Sequence, residues 1–187
     1  MPDREKAEGS IGLVQAFVNT VDLESGPEEL TDPGHLAEWL AAHELLAAGT
    51  SADDADLGHA IALREALRAV IGANSGGSVY PVDLATLNQA AATSKLRPRF
   101  GPDGRARLEP EASGVTGALG RIVAAAFAAM DDEDWGRLKL CSSPTCRWAY
   151  FDRSRNHSSR WCTMATCGNR AKARRFRQQR KVEQVES

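Results

Sequence analysis

Residues 140–170 read LCSSPTCRWAYFDRSRNHSSRWCTMATCGNR, and this stretch holds all four cysteines of the 187-residue chain. Two C-x4-C pairs stand fifteen residues apart, at Cys141, Cys146, Cys162 and Cys167. Paired cysteines at such a spacing are typical of structural zinc sites, where each pair folds into a tight turn that directs two sulfurs at one ion. The spacing therefore predicts one zinc ion held by four thiolates, with no open position for catalysis.

Three other interpretations of the cysteines are weaker. Two disulfides would need an oxidising compartment, whereas the polar first ten residues carry no export signal and we expect a cytoplasmic protein. An iron–sulfur cluster uses the same ligands, although the local sequence favours zinc. His157 could replace one cysteine, but it stands in a polar turn, where a solvent-exposed or phosphate-facing imidazole is expected.

The charges of the chain divide at the same place as its cysteines. Residues 1–136 hold 10 basic and 22 acidic residues, a net charge of -12, whereas residues 137–187 hold 13 and 3, a net charge of +10. Such asymmetry indicates an acidic body joined to a basic arm that binds a polyanion. We therefore predict two domains, an acidic helical one over residues 1–136 and a zinc module over residues 137–182.

The segment between the cysteine pairs predicts a strand and a turn. Aromatic residues at 148–151 suit a short strand, a polar turn follows, and the chain returns through 158–161 as the second strand of a hairpin. A helix should follow over residues 171–181, capped by Thr166 and carrying Cys167 in its first turn. A knuckle, a hairpin and a ligand-bearing helix together make a treble-clef-like zinc module.

The tail after the last cysteine predicts a basic helix that binds DNA. Helical projection places cations on one stripe, while Ala173 and Phe176 offer an apolar contact back to the module. Arginines suit both phosphate forks and guanine edges. Together with Asn169, the predicted nucleic-acid-binding residues are Arg153, Arg155, Arg160, Arg170, Arg174, Arg177 and Lys181. RNA is a second candidate, and an acidic protein surface, including that of another copy, is a third.

The same residues resemble a known family. The two cysteine pairs, the Asp152-Arg153-Ser154 run and the tetrapeptide Cys167-Gly168-Asn169-Arg170 fit the CGNR zinc finger. The resemblance implies zinc on the four cysteines, and it implies that Asn169 and Arg170 brace the helix start or touch phosphate. In that family the finger follows a domain called ABATE, which residues 17–22, 36–46 and 62–68 resemble, in proteins described as stress-induced transcription regulators.

The first 136 residues predict a mainly helical domain. Apolar positions recur at helical spacing in 13–21, 36–46, 57–71, 82–96 and 115–130, and a Gly-Pro-Asp-Gly turn at 101–104 predicts a hairpin. The fold class is thus mainly α with small β-hairpins. A polar run in the first helix marks Asn19 and Asp22, with Arg64, as candidate residues of a ligand cleft, although a helix end would also explain the run. His59 could line the same cleft.

The predicted function is that of a transcription regulator with a zinc-dependent DNA-binding module, whose N-terminal domain senses a signal or assembles the protein. The alternative is a zinc-stabilised protein-interaction module whose basic helix binds an acidic partner. The sequence shows no metal, triad or phosphate-loop motif in the first 136 residues, so we expect no enzyme. A homodimer would enlarge the small footprint of a single finger on DNA.

Overall fold

The computed structural model describes residues 6–24 and 26–185, with side chains through residue 179. Six α-helices and two short hairpins account for its regular structure. The helices are α1 Gly9–Val18, α2 Pro33–Ala42, α3 Asp54–Ala73, α4 Pro81–Thr93, α5 Gly114–Met130 and α6 Asn169–Val185. Among the described helices, none combines the length and the apolar character that crossing a membrane requires.

Capping side chains fix where two of the helices begin. Asp32 stands before Pro33, and its Oδ1 accepts a hydrogen bond of 3.0 Å from the His35 amide, so α2 begins at Pro33. Asp53 caps α3 through a reciprocal pair of hydrogen bonds with Asp56, because the aspartate three residues later completes a capping box.

Each hairpin is a two-stranded antiparallel sheet. The first pairs β1 Leu96–Phe100 with β2 Ala106–Pro110 around the turn that the sequence predicts, where Gly104 has a φ of +74°. The second pairs β3 Leu138–Leu140 with β4 Ala149–Phe151. The prediction that 158–161 would pair with β4 is therefore wrong, since β4 pairs with a strand that precedes the first cysteine.

The hydrophobic core joins the helices to the second hairpin. Four helices each contribute completely buried side chains to this core, for example Phe17, Leu40, Leu67 and Ile122. One cluster contains these side chains together with residues of β3 and β4, namely Leu138, Leu140, Ala149 and Phe151. The compositional boundary after residue 136 falls within a 3₁₀ turn, Trp135–Arg137, and the core continues across it.

The last helix leaves the body of the protein. A π-helical turn, Met164–Gly168, leads directly into α6, and Thr163 caps this turn by accepting a hydrogen bond from the Thr166 amide, so the expectation that Thr166 is the cap is wrong. Phe176 is 59% exposed and Ala173 is exposed as well. Both side chains are therefore largely exposed rather than buried against the module. The predicted fold class, mainly α with small hairpins and a zinc module, is confirmed.

Candidate metal centre and cationic surface

Three separate segments bring the four cysteines together. Cys141 follows β3 and Cys146 precedes β4, so the first pair lies in the connection of the second hairpin, while Cys162 lies in the following loop and Cys167 in the turn before α6. All four sulfurs lie within 4.8 Å of one another, and all four residues are buried. The Sγ of Cys162 is 3.7 Å from that of Cys146 and 3.8 Å from that of Cys167.

These distances fit a tetrahedral metal site. Zinc–sulfur bonds of about 2.3 Å in a tetrahedron separate the sulfurs by about 3.8 Å, whereas a disulfide joins its sulfurs at about 2.05 Å. The four cysteines are free of disulfides in the described chain. His157 is not among the clustered ligands of the described residues and is exposed, so the four-thiolate arrangement fits zinc without it.

Hydrogen bonds among the thiols shift their pKa values in opposite directions. Hydrogen bonds from Cys146 and Cys162 lower the pKa of Cys141 to about 2, and the hydrogen bond with Cys141 in turn raises the pKa of Cys146 to about 12. The hydrogen bond with Cys141 also raises the pKa of Cys162. Four adjacent thiolates would repel one another, and a bound dication such as zinc would offset that repulsion.

Backbone hydrogen bonds shape the turns that carry the ligands. The Cys141 amide donates to the Trp148 carbonyl at 2.9 Å, which closes the hairpin, and the Cys146 amide donates to the Ser143 carbonyl at 3.0 Å, which forms the knuckle. The Ser142 amide donates to the Arg160 carbonyl at 2.8 Å and so joins the first knuckle to the segment before Cys162. These bonds hold the two cysteine pairs against each other.

A buried ion pair fixes the loop between the two cysteine pairs. Lys139 Nζ lies 2.8 Å from Asp152 Oδ2, and the amides of Ser154 and Ser159 each donate to the same carboxylate at 3.0 Å. Burial alone would raise the pKa of Asp152, but the hydrogen bonds from Lys139 and Ser154 outweigh it and lower the pKa below its ordinary value. The structural role of Lys139 was missed by the sequence analysis, because a single lysine in a three-residue strand gives no signal.

The predicted cationic residues of the loop lie at the surface. All three are exposed, at positions Arg153, Arg155 and Arg160. The Arg153 guanidinium lies 5.3 Å from the centroid of the Phe151 ring and also donates to the Lys6 carbonyl at 2.9 Å. The guanidinium of Arg160 lies 5.7 Å from the ring centroid of Trp161. These aromatic contacts leave the guanidinium groups at the surface while holding two of the three in place.

The helix after the cysteines carries most of the other predicted cations. Arg174 and Arg177 are exposed, and Asn169, also exposed, donates from its side chain to the Ala165 carbonyl at 3.2 Å, so it braces the helix start. Arg170 is exposed but forms an ion pair with Glu24 of the segment between α1 and α2. Lys181 belongs to α6, and its side chain lies outside the described part of the chain.

Comparison with known families identifies the larger part of the chain. Residues 12–133, more than half of the sequence, match the family model named ABATE, whose description is "Putative stress-induced transcription regulator". The chain belongs to the ABATE family. Residues 137–180 of this ABATE protein match the model of the CGNR zinc finger, in agreement with the resemblance seen in the sequence. No curated protein matches the chain in sequence.

A buried polar network connects the ABATE helices to the finger. The Asn19 side chain donates to the Ala149 carbonyl at 2.7 Å and accepts from the Ala149 amide at 2.9 Å, so it pairs with β4 as a neighbouring strand would. Gln15 donates to the same carbonyl at 3.1 Å. Arg68, which is 1% exposed, donates to the carbonyls of Val18 and Arg147. The ABATE region therefore contacts the backbone beside the first cysteine pair directly.

The three residues predicted to line a ligand cleft form contacts inside this ABATE protein. All three, Asn19, Asp22 and Arg64, are buried, and α1 ends at Val18, so the polar run is a helix end. Arg64 donates to Thr20 and pairs with Glu28 at 2.7 Å, while Asp22 accepts from the Glu24 amide at 3.0 Å. His59 alone among the residues considered for that cleft lines a cavity, which lies between α3 and α4.

Proposed function

We propose that this ABATE protein regulates transcription by binding DNA through its C-terminal finger, which zinc holds in its active shape. The observation that carries the proposal is the exposed start of α6. Over residues 169–179, whose side chains are described, the helix carries five exposed cations and no acid, at Arg170, Lys172, Arg174, Arg175 and Arg177. Such a surface suits the phosphates of a nucleic acid, which dominate the affinity of protein–DNA complexes.

Zinc has a structural role in this proposal. Cys141, Cys146, Cys162 and Cys167 would hold the ion, and with four protein ligands no coordination position is left for a reacting water. Cys167 lies two residues before α6, so the metal would fix the position from which the basic helix projects. Neither matched family is one of enzymes, which agrees with this role.

The DNA-contacting surface combines the loop and the helix. One face of α6 carries cations at helical spacing, namely Arg170, Arg174, Arg177 and Lys181. The loop would extend this face with Arg153, Arg155 and Arg160. An α-helix of this kind fits the major groove of B-DNA. Residues 1–136 would then sense a signal or assemble the protein, and a dimer would double the footprint of a single finger.

One observation favours the second candidate, a protein-interaction module. The Glu24 carboxylate already forms an ion pair with Arg170, so a carboxylate of the acidic body can take the place of a phosphate. An acidic surface of another protein could engage the remaining arginines in the same way. Arg174 and Arg177 form no ion pair among the described residues, which leaves them to a partner of either kind.

Elemental analysis followed by DNA binding on the same sample tests the proposal. We expect about one zinc per chain, DNA binding that is lost when a chelator removes the metal, and recovery of binding when zinc is returned. A fluorescent duplex measured by anisotropy reports the binding, and competition between a defined duplex and random DNA shows whether bases are read. Stoichiometric zinc without any DNA binding would contradict DNA as the partner and favour the interaction module.

A further inference from the structure

A cavity of about 620 Å³ lies between α3 and α4, over the start of α5. Its volume falls within the range of roughly 300 to 1,000 Å³ that is usual for small-molecule sites. The described lining residues all lie between positions 56 and 119, within the ABATE region and outside the finger. They are Asp56, His59, Ala62, Leu63, Val82, Ala85, Thr86, Gln89, Ala90, Thr93, Thr116 and Leu119.

The residues of α4 are exposed or half-buried, so this helix borders the cavity at the protein surface. All thirteen residues of α4 are described, none is buried, and Val82 is 68% exposed. At its first end the Tyr80 amide donates to Asp83 at 2.9 Å. At its last end Ser94 is fully buried against α5, where a Cβ added to Gly120 would come 2.4 Å from the Ser94 Cβ. The lack of a side chain at Gly120 therefore lets the last end of α4 approach α5 closely.

The apolar part of the lining suits the body of a small organic molecule. Ala62 and Leu63 from α3 face Val82, Ala85 and Ala90 from α4 across the gap. Ala62, Val82 and Ala85 are exposed, so these apolar walls are accessible to a ligand from solvent. A flat ring system would replace water along both walls and make dispersion contacts with each.

The polar part of the lining selects the charge of the ligand. The described lining residues include the carboxylate of Asp56 and no Lys or Arg. Within the described residues, one oxygen of that carboxylate accepts a hydrogen bond of 3.2 Å from the Asp53 amide. His59 lies one turn further along the same face and forms no hydrogen bond within the described chain. Such a lining disfavours anions and accepts a cation or a hydrogen-bond donor.

We propose that the cavity between α3 and α4 binds a small lipophilic cation, a molecule with a flat apolar body and a protonated amine. The apolar walls take the body, and Asp56 takes the amine. This site goes beyond the proposed function, because it depends neither on zinc nor on DNA. A bound ligand would bridge the two helices across the gap, and it would raise the thermal stability of the ABATE region by mass action.

The experiment uses the full zinc-loaded chain and two tricyclic probes of similar size. 9-Aminoacridine is a cation at neutral pH, and anthracene-9-carboxylate is an anion, so the pair differs mainly in the sign of the charge. Fluorescence anisotropy follows the titration of each probe with protein. We expect saturable binding of one 9-aminoacridine per chain and clearly weaker binding of anthracene-9-carboxylate. Absence of saturable 9-aminoacridine binding, or equal binding of the two probes, would overturn the proposal.

Three variants locate the bound probe. Ala85→Trp fills the cavity from α4, and Ala62→Trp fills it from α3, so each should abolish binding, and the second serves if thermal melting shows that the first has not folded. Asp56→Asn should weaken binding roughly fivefold, as expected for a partly screened ion pair. The matched control Asp54→Asn alters the same first turn outside the lining and should leave binding unchanged. Undiminished binding in both Trp variants would contradict the site.

Discussion

Replacing Asn19 by alanine tests the connection between the ABATE helices and the finger. The amide of Asn19 is buried and forms two hydrogen bonds with the backbone of Ala149, a residue with no exposed surface. In Asn19→Ala the Ala149 carbonyl keeps its bond from Gln15, which lies 3.1 Å away. The Ala149 amide loses its only described partner and stays buried.

The expected loss follows from that unpaired amide. A buried donor without a partner costs about 1 to 3 kcal/mol, to which the loss of the hydrogen bond to the carbonyl adds about 0.5 to 1 kcal/mol. We therefore expect the free energy of unfolding to fall by about 2 to 3 kcal/mol. For a chain of this size the corresponding decrease in Tm is roughly 5 to 10 °C. Because Ala149 lies three residues after Cys146, the variant should also release zinc to a chelator faster than the native protein does.

Urea unfolding of the zinc-loaded protein, followed by circular dichroism, measures the first effect, and a colorimetric zinc chelator measures the second. Asn88→Ala is the matched control, since Asn88 lies on α4 outside the buried core and its replacement should change stability by less than about 0.5 kcal/mol. A loss in Asn19→Ala no larger than that of the control would refute the argument. An additive effect of Asn19→Ala and Gln15→Ala would also speak against it, because the two side chains share one carbonyl.

Three further predictions concern the metal, the cationic surface and the buried ion pair. Cys162→Ser should lose stoichiometric zinc in elemental analysis, and retained zinc would contradict a four-thiolate site. The control Ser142→Ala, next to Cys141 in the chain, should keep its zinc. The double variant Arg174→Ala with Arg177→Ala should weaken DNA binding in anisotropy titrations. The slope of log affinity against log salt concentration should become shallower by roughly 1.8, whereas Gln178→Ala on the same helix should leave it unchanged. Equal slopes in the double variant and the wild type would exclude phosphate contacts at these two arginines. The pKa of Asp152 is lower in the folded protein than its ordinary value of about 3.9, so its stabilisation is present above that pH and is lost as the pH falls through the folded pKa. The urea midpoints of wild type and Asp152→Asn should therefore differ at pH 7. The difference should begin to shrink as the pH falls below about 4, and a difference that stays constant would exclude this linkage.

The helices and the candidate ligands could be predicted from sequence because their signals are local. Apolar residues recur at helical spacing in every ABATE helix, and two C-x4-C pairs in one short window indicate a common ion. The observed helices agree with the predicted ones to within a few residues, with α1 ending earlier because Asn19 leaves the helix to bind β4. Such a contact joins residues 130 positions apart, so no local pattern announces it.

Other features escaped prediction for different physical reasons. The strand β3 has three residues, all buried, so it shows no alternation from which a partner for β4 could be recognised. The apolar positions of α4 suit burial, yet none of its residues is buried, and several of them line the cavity instead. The polar residues at the end of α1 suggested a ligand site, but buried polar groups also need partners inside the protein, and here they find them.

The hydrophobic core that continues from the helices into β3 and β4 limits how this protein can be recombined. A chimaera that joins residues 1–136 to a foreign DNA-binding module would lack four side chains that fill the core, Leu138, Leu140, Ala149 and Phe151. A functional exchange must therefore keep the hairpin and both cysteine pairs and replace only residues beyond Cys167. An exchange beyond Cys167 changes the surface offered to a partner, whereas an exchange after residue 136 removes part of the hydrophobic core.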